Sequence, residues 1–377
     1  MVKYIWQEKN WPNFTWDNSS LINALSRCNF KRGQLLGRMA SLGMELSLEA
    51  RAEVLVAEVL QTSAIEGQLL NPDSVRSSVA RRIGLSEGVL AGHDRYADGL
   101  VDVLLDATTN YDKPLTRERL HGWQAALFPG GFSGLRRITV GDFRGNTPLQ
   151  VISGPIREEQ VHFEAPPDKQ VNHEINQFLQ WWDEKESRLD GILKAAIAGF
   201  WFVTIQPYED GNDCLARVIT DMALARDEKL TTRCYSLSAQ IIEERQSYYE
   251  VLEKTQKSGL DITPWLKWFL GCFERAIDRS DELVGKVLLK ARFWELHRNK
   301  PLTKRQQKVI IRLLDAGPEG FVGGLTTRKY VEMTKASRAT CYREITDLLN
   351  KGMLRKNPGK GRSVSYTLNW PEEKQQK

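Results

Sequence analysis

The chain has 377 residues, 41% of them hydrophobic and 27% charged, which is room for two or three units with ordinary cores and excludes a disordered or fibrous protein. No apolar run reaches the length of a membrane span and none at the start resembles a signal peptide, so no membrane association and a cytoplasmic location are expected. The net charge of +5 is uneven: residues 300–369 carry fifteen Lys/Arg against five Asp/Glu, a net +10 that leaves −5 for the remainder.

In chain order, an aromatic opening (Trp6, Trp11, Phe14, Trp16) runs into helical text from Ser19, with Asp17 or Asn18 as cap. From Leu46 to Ile65, apolar residues recur at three and four (Ala52, Leu55, Val56, Val59, Leu60), predicting an amphipathic helix that Gly67 stops. More helical text fills residues 73–108 and 116–128. Between Gly130 and Pro167 the sequence turns Gly- and Pro-rich, with alternating runs at Leu149 to Ser153 and Gln160 to Phe163 that predict a β-hairpin. Helices resume over Val171 to Lys185 and Asp190 to Thr204, the latter so apolar that burial all round is expected. Another begins near Asn212 and passes Ala225, and two more cover Ser238 to Lys257 and Thr263 to Leu288.

Residues 292–300 read as a connector. Beyond it, helices at Thr303 to Leu314, Thr327 to Thr334 and Arg338 to Asn350 precede a basic turn and strand over Arg355 to Leu368, the element order of a winged helix-turn-helix. The expected architecture is mainly α: residues 1–80 an N-terminal helical domain, 81–288 a helical core with a hairpin, and 289–371 the winged helix. Five scattered cysteines lack any zinc-binding spacing, so reduced thiols are expected.

The segment Gln206 to Arg217 (QPYEDGNDCLAR) follows the most apolar helix. A buried helix that ends in a glycine-containing loop and restarts as a new helix aims backbone N–H groups and a positive dipole end at one spot, which suits phosphate. Here Asp210 can hold Mg²⁺, Gly211 allows close backbone approach, Asn212 sits near the helix start and Arg217 follows one turn inside.

The order and spacing resemble the Fic family pattern H-x-F-x-D/E-G-N-G-R-x-x-R. The resemblance implies a Fic-type helical core with a β-hairpin flap, and AMP transfer from ATP to a protein hydroxyl with Mg²⁺. It places Tyr208 at the aromatic core position, Asp210 at the Mg²⁺ ligand, Gly211 and Asn212 in the phosphate cradle, and Arg217 on the second arginine. Thr62 to Gly67 (TSAIEG) resembles the family's inhibitory motif S/T-x-x-x-E-G/N, whose glutamate, here Glu66, pairs with that arginine. The hairpin text from Arg144 to Pro167 lies where the family has its target-docking flap, so a target protein is expected to dock near residues 147–165 by strand addition. The resemblance covers about residues 4–280.

Three positions depart from the pattern. Gln206 stands where the catalytic histidine belongs, and an amide cannot take a proton near neutral pH, a loss of roughly 10²–10⁴ in rate. Asp213 replaces a cradle glycine and Cys214 the first phosphate-binding arginine; each change costs about 3 kcal/mol against a polyphosphate at 5 Å and an effective dielectric of 20. Impaired turnover and weakened ATP binding follow, whether the changes are natural or introduced. A second reading is a DNA-bound regulator that uses the Fic-like body as a sensing module. In it Arg338, Thr340 and Arg343 face DNA, with Lys356, Lys360 and Arg362 on the wing, within residues 300–369. Winged helices also serve as protein-interaction or dimer modules, so a homodimer stands beside DNA, and transfer of another phosphate-containing group stays open. All five histidines (His93, His121, His162, His173, His297) are remote in sequence from the loop.

Overall fold

The computed structural model describes residues 4–41, 44–85, 94–145, 148–153, 160–184, 189–231, 233–317, 320–321, 323–358 and 364–370. The chain divides into two compact units, residues 1–281 and 282–377, both built mainly of helices with small antiparallel sheets.

The first unit opens with a 3₁₀ turn (Ile5–Gln7), followed by α1 (Asn18–Ser41) and α2 (Met44–Ile65). Then come α3 (Pro72–Ile83), α4 (Arg95–Thr109) and α5 (Arg117–Leu127). The residue 73–108 text is therefore two helices. Gly84 ends the first at φ 78°, and Asp94 starts the second by accepting hydrogen bonds from the backbone N–H groups of Tyr96 and Ala97. Two hairpins come next: β1 (Phe132–Ser133) with β2 (Arg136–Arg137), and β3 (Gln150–Ser153) with β4 (Gln160–Glu164). The expected strands are thus present, while residues 146–147 and 154–159 of the expected docking hairpin lie outside the described set.

The centre of the unit is α7 (Gly191–Ile205), which follows α6 (Asp168–Trp182). From Ile192 to Ile205 every residue except Lys194 is buried, as the apolar text requires. It packs along α8 (Asn212–Glu228), and Gly199 permits the approach: a Cβ there would stand 2.4 Å from Thr220 Oγ1. Ser238 to Lys257, expected as one helix, is α9 (Ser238–Ile241) and α10 (Arg245–Gln256), because turn conformations at residues 242–244 interrupt it.

In α2 the buried set is wider than one apolar stripe. Glu58 and Thr62 are 5% and 1% exposed, and both are hydrogen-bonded. Glu58 accepts from the Ser236 hydroxyl at 2.7 Å and from Ser238 N at 3.2 Å, fastening α2 to the segment that leads into α9.

The expected connector at 292–300 is corrected by α11, which runs from Thr263 to His297. Phe293 is fully buried among the apolar side chains of the second unit, so its packing carries the helix about two and a half turns further than the text suggested. That unit continues with α12 (Lys304–Asp315), α13 (Thr327–Thr334), α14 (Arg338–Asn350), β5 (Leu354–Lys356) and β6 (Tyr366–Leu368). Leu325 bridges Tyr366 in the same antiparallel sense, and Tyr330 donates to the buried Glu344 at 2.9 Å. Lys360 and Arg362 lie outside the described residues.

Gly99 tests the close crossing of α4 and α5. A Cβ there would stand 2.0 Å from the Ala126 carbonyl oxygen, an overlap that outweighs the gain of about 1 kcal/mol in helix propensity. Gly99→Ala is expected to destabilise the chain by about 2 kcal/mol in urea unfolding; an unchanged or raised midpoint would contradict this crossing.

Candidate active site

The loop between α7 and α8 is fixed from several directions. Gln206 closes α7 in the left-handed conformation (φ 50°, ψ 61°), and its carbonyl accepts from Arg144 Nε at 2.7 Å. The Arg144 backbone N–H donates to the Pro207 carbonyl at 2.9 Å. Arg144 is 4% exposed, and sequence reasoning treated it only as the start of the flap text. Tyr208 N donates to Asn212 Oδ1 at 2.9 Å while Asn212 Nδ2 donates to the Tyr208 carbonyl at 2.8 Å, a reciprocal pair that shapes the turn. Asn212 thus holds the loop to itself. Between them Gly211 sits at φ 86°, and a Cβ there would stand 2.8 Å from the Phe128 ring.

Asp210 uses both carboxylate oxygens: Oδ1 accepts from Gly211 N at 2.7 Å and Oδ2 from the Ser133 hydroxyl. The small β1–β2 hairpin therefore positions this carboxylate, a role with no signal in the text. A hard oxygen donor of this kind fits Mg²⁺ as one protein ligand beside phosphate oxygens.

One turn into α8, Arg217 is 6% exposed and held by α2. Its Nε donates to Thr62 Oγ1 at 2.7 Å, and its Nη2 to the Thr62 carbonyl at 3.2 Å and Glu66 Oε1 at 2.6 Å. Burial works against its charge, but Glu66 and its other neighbours hold the guanidinium well above its ordinary range. Nη1 is buried without a protein partner, an orphaned donor that a phosphate oxygen could satisfy. Cys214 is 2% exposed and burial pushes its thiol up to about 12, which makes it an inert neutral group rather than a nucleophile.

Asp213 is half-buried in the first turn of α8. Burial and then Glu66 push its carboxyl up to about 7, against the pull of Arg217. The first turn of α8 thus carries only part of this negative charge at neutral pH.

Gln206 and Asp213 line a cavity of about 490 Å³ with Val151, Ile152, His162 and Phe163 of the β3–β4 hairpin and residues of α10. Two histidines that look remote in sequence are brought in by folding. His121 Nδ1 lies 3.1 Å from the Tyr208 hydroxyl, and His162 lines the cavity. His93 lies outside the described residues. Of the predicted site residues, Glu66 and Arg217 meet directly, Asp210, Gly211 and Asn212 form the turn, and Gln206 and Asp213 face one cavity.

Residues 114–224 match the Fic/DOC family model, and residues 4–85 match a domain of unknown function, DUF4172. The chain is a Fic domain protein. It is 29% identical over 137 residues to "Protein adenylyltransferase Fic" of Nematostella vectensis, a match covering 35% of this chain and 29% of that protein. A Fic family protein from Desulfovibrio desulfuricans G20 superposes with a TM-score of 0.55 at 17% identity, covering 95% of this chain and 98% of that one. A Fic domain containing signaling protein from Bacteroides thetaiotaomicron VPI-5482 gives 0.50 at 14% identity, covering 68% and 97%. These two likenesses concern the fold. No helix among the described residues is long and apolar enough to cross a membrane.

Because the folded pKa of Asp213 lies above the ordinary carboxylate value, the fold favours its protonated form. Its contribution to stability is full below about pH 4 and lost as pH rises through 7. Asp213→Asn is expected to raise the unfolding midpoint at pH 8 and leave it nearly unchanged at pH 4. An equal effect at both pH values would show that Asp213 titrates normally.

Proposed function

We propose that this chain is a Fic-type AMP transferase, acting from ATP on a protein hydroxyl, whose turnover is restrained by the Glu66 latch and impaired by loss of the motif histidine. The observation that carries this reading is the buried Arg217, clamped by Thr62 and Glu66 across 151 residues of sequence while one guanidinium nitrogen stays unpartnered. In this reading Asp210 holds Mg²⁺, Gly211 and Asn212 shape the cradle, and Arg217 receives the terminal phosphate when Glu66 withdraws. Mg²⁺ would neutralise charge on the phosphates. The target would dock along the hairpin near residues 147–165.

The test restores the pattern. Gln206→His, Asp213→Gly and Cys214→Arg, combined with Glu66→Gly, are expected to yield AMP transfer from labelled ATP at least about 100-fold above the parent. No labelling of the protein itself or of any added protein would count against the transferase reading.

A second reading concerns the other unit, for which we propose a winged helix that binds DNA. It is supported by the solvent face of α14, where Arg338, Ala339, Tyr342, Arg343 and Thr346 are exposed at helical spacing, while the half-exposed Asp347 is paired with Lys351. Tyr342 is 61% exposed, and Arg355 and Lys356 are exposed on β5. Replacing both Arg338 and Arg343 by Ala is expected to weaken duplex binding and reduce the slope of log K against log salt by about 2. Indifference to the double substitution, or equal affinity for heparin, would remove DNA from the reading and leave a protein-interaction or dimer module.

A further inference from the structure

The cavity beside Gln206 contains one imidazole among its described lining residues, that of His162. Its placement there depends on an irregularity in the flap. On β3, Val151 and Ile152 are consecutive, but their partners on β4 are Phe163 and Val161, so His162 is the extra residue of a bulge. In a regular strand His162 and Phe163 would point to opposite faces. With the bulge both line the cavity, as do Val151 and Ile152.

The ring is also oriented. His162 Nδ1 lies 2.7 Å from Glu253 Oε2 on α10, and Glu253 Oε1 lies 2.5 Å from Lys257 Nζ. Burial opposes ionisation of Glu253, but the hydrogen bonds from Lys257 and His162 hold its carboxyl below the usual range, so it faces the ring as an anion. A histidine fixed by a carboxylate in the cavity where proton transfer must occur has the arrangement of a general base.

We propose that His162 is the catalytic base of this site, taking the role that Gln206 cannot fill, with Glu253 as its positioning residue. The proposal rests on the transferase reading. The acceptor hydroxyl oxygen forms a bond to the α-phosphorus of ATP, and the bond from that phosphorus to the bridging oxygen breaks. The electron pair leaves with pyrophosphate. The hydroxyl proton passes to the imidazole, and the resulting imidazolium is stabilised by the Glu253 carboxylate. Asp213, Tyr249 and Glu250 also line the cavity, but Asp213 stands in the phosphate cradle, where its charge would meet the nucleotide, burial pushes the Tyr249 hydroxyl up to about 12, and Glu250 has no partner among the described residues that orients it toward Gln206 as Glu253 orients His162.

The experiment uses the full chain carrying Glu66→Gly, with ATP labelled at its α-phosphorus, self-labelling as readout and calorimetry for Mg-ATP binding. His162→Gln is expected to slow transfer about 100-fold or more with Mg-ATP affinity unchanged. Adding Gln206→His to that variant is expected to restore transfer, which damage to the flap would not allow. Glu253→Gln is expected to slow transfer by a smaller factor with Mg-ATP affinity unchanged, and Glu253→Asp to recover part of the loss. Unlatched protein that binds Mg-ATP but transfers nothing, transfer at the parental rate in His162→Gln, or transfer at the parental rate in Glu253→Gln would each overturn the proposal. Failure to bind Mg-ATP at all would instead overturn the transferase reading, and this inference with it.

Discussion

A positive charge inside the first unit sets the terms for everything around it. The Arg217 guanidinium is almost fully buried, and an uncompensated buried charge is costly enough that its neighbours must answer it. Thr62 answers with its hydroxyl and carbonyl, Glu66 with a carboxylate. Since Thr62 lies in the last turn of α2 and Glu66 directly follows it, that helix cannot be a loosely attached appendage. One turn earlier, the buried Glu58 is satisfied by Ser236 and Ser238, so α2 is bound through polar groups as well as apolar ones. The ion pair with Glu66 and the packing of the helix are parts of one contact, and the Arg217 guanidinium still lacks one partner.

Around this charge the site is uneven. The turn is intact, closed by the Tyr208 and Asn212 pair and by a Gly211 that no side chain could replace without meeting Phe128. The groups that would carry the chemistry at the loop are altered: an amide at 206, a carboxylate at 213 and a buried neutral thiol at 214. Asp213 illustrates how the fold tempers such a change, because burial and Glu66 shift its carboxyl toward neutrality and lower the charge it presents. Relative to the family pattern, the turn residues are kept and the charged positions beside them differ.

The likeness to known Fic structures extends over 95% of the chain in one case, but at 17% identity it speaks for the path of the backbone. The side chains within the site carry the functional argument, and they are this chain's own. That is why the flap matters: its bulge delivers an imidazole to the cavity at a position that no motif around residue 206 would indicate.

Much of the architecture was legible in the text. The apolar run of α7, the Asp-Gly-Asn turn and the three-helix order of the second unit are local patterns, and local patterns survive folding because they report burial period and turn chemistry. Glu66 and Arg217 could be paired in advance only because two short motifs pointed at each other. Helix ends were less legible: α11 continues to His297 because Phe293 finds a core, and that reward lies outside the local sequence. Arg144, Ser133, His121 and His162 carried no local signal for their roles. Each acts on the loop or its cavity from 60 or more residues away or from another element, through contacts that exist only once the chain has closed. The sequence by itself determined that the motif base is absent. Only the tertiary structure decided what stands beside the gap, because an imidazole's usefulness depends on distance and orientation, and those belong to the fold.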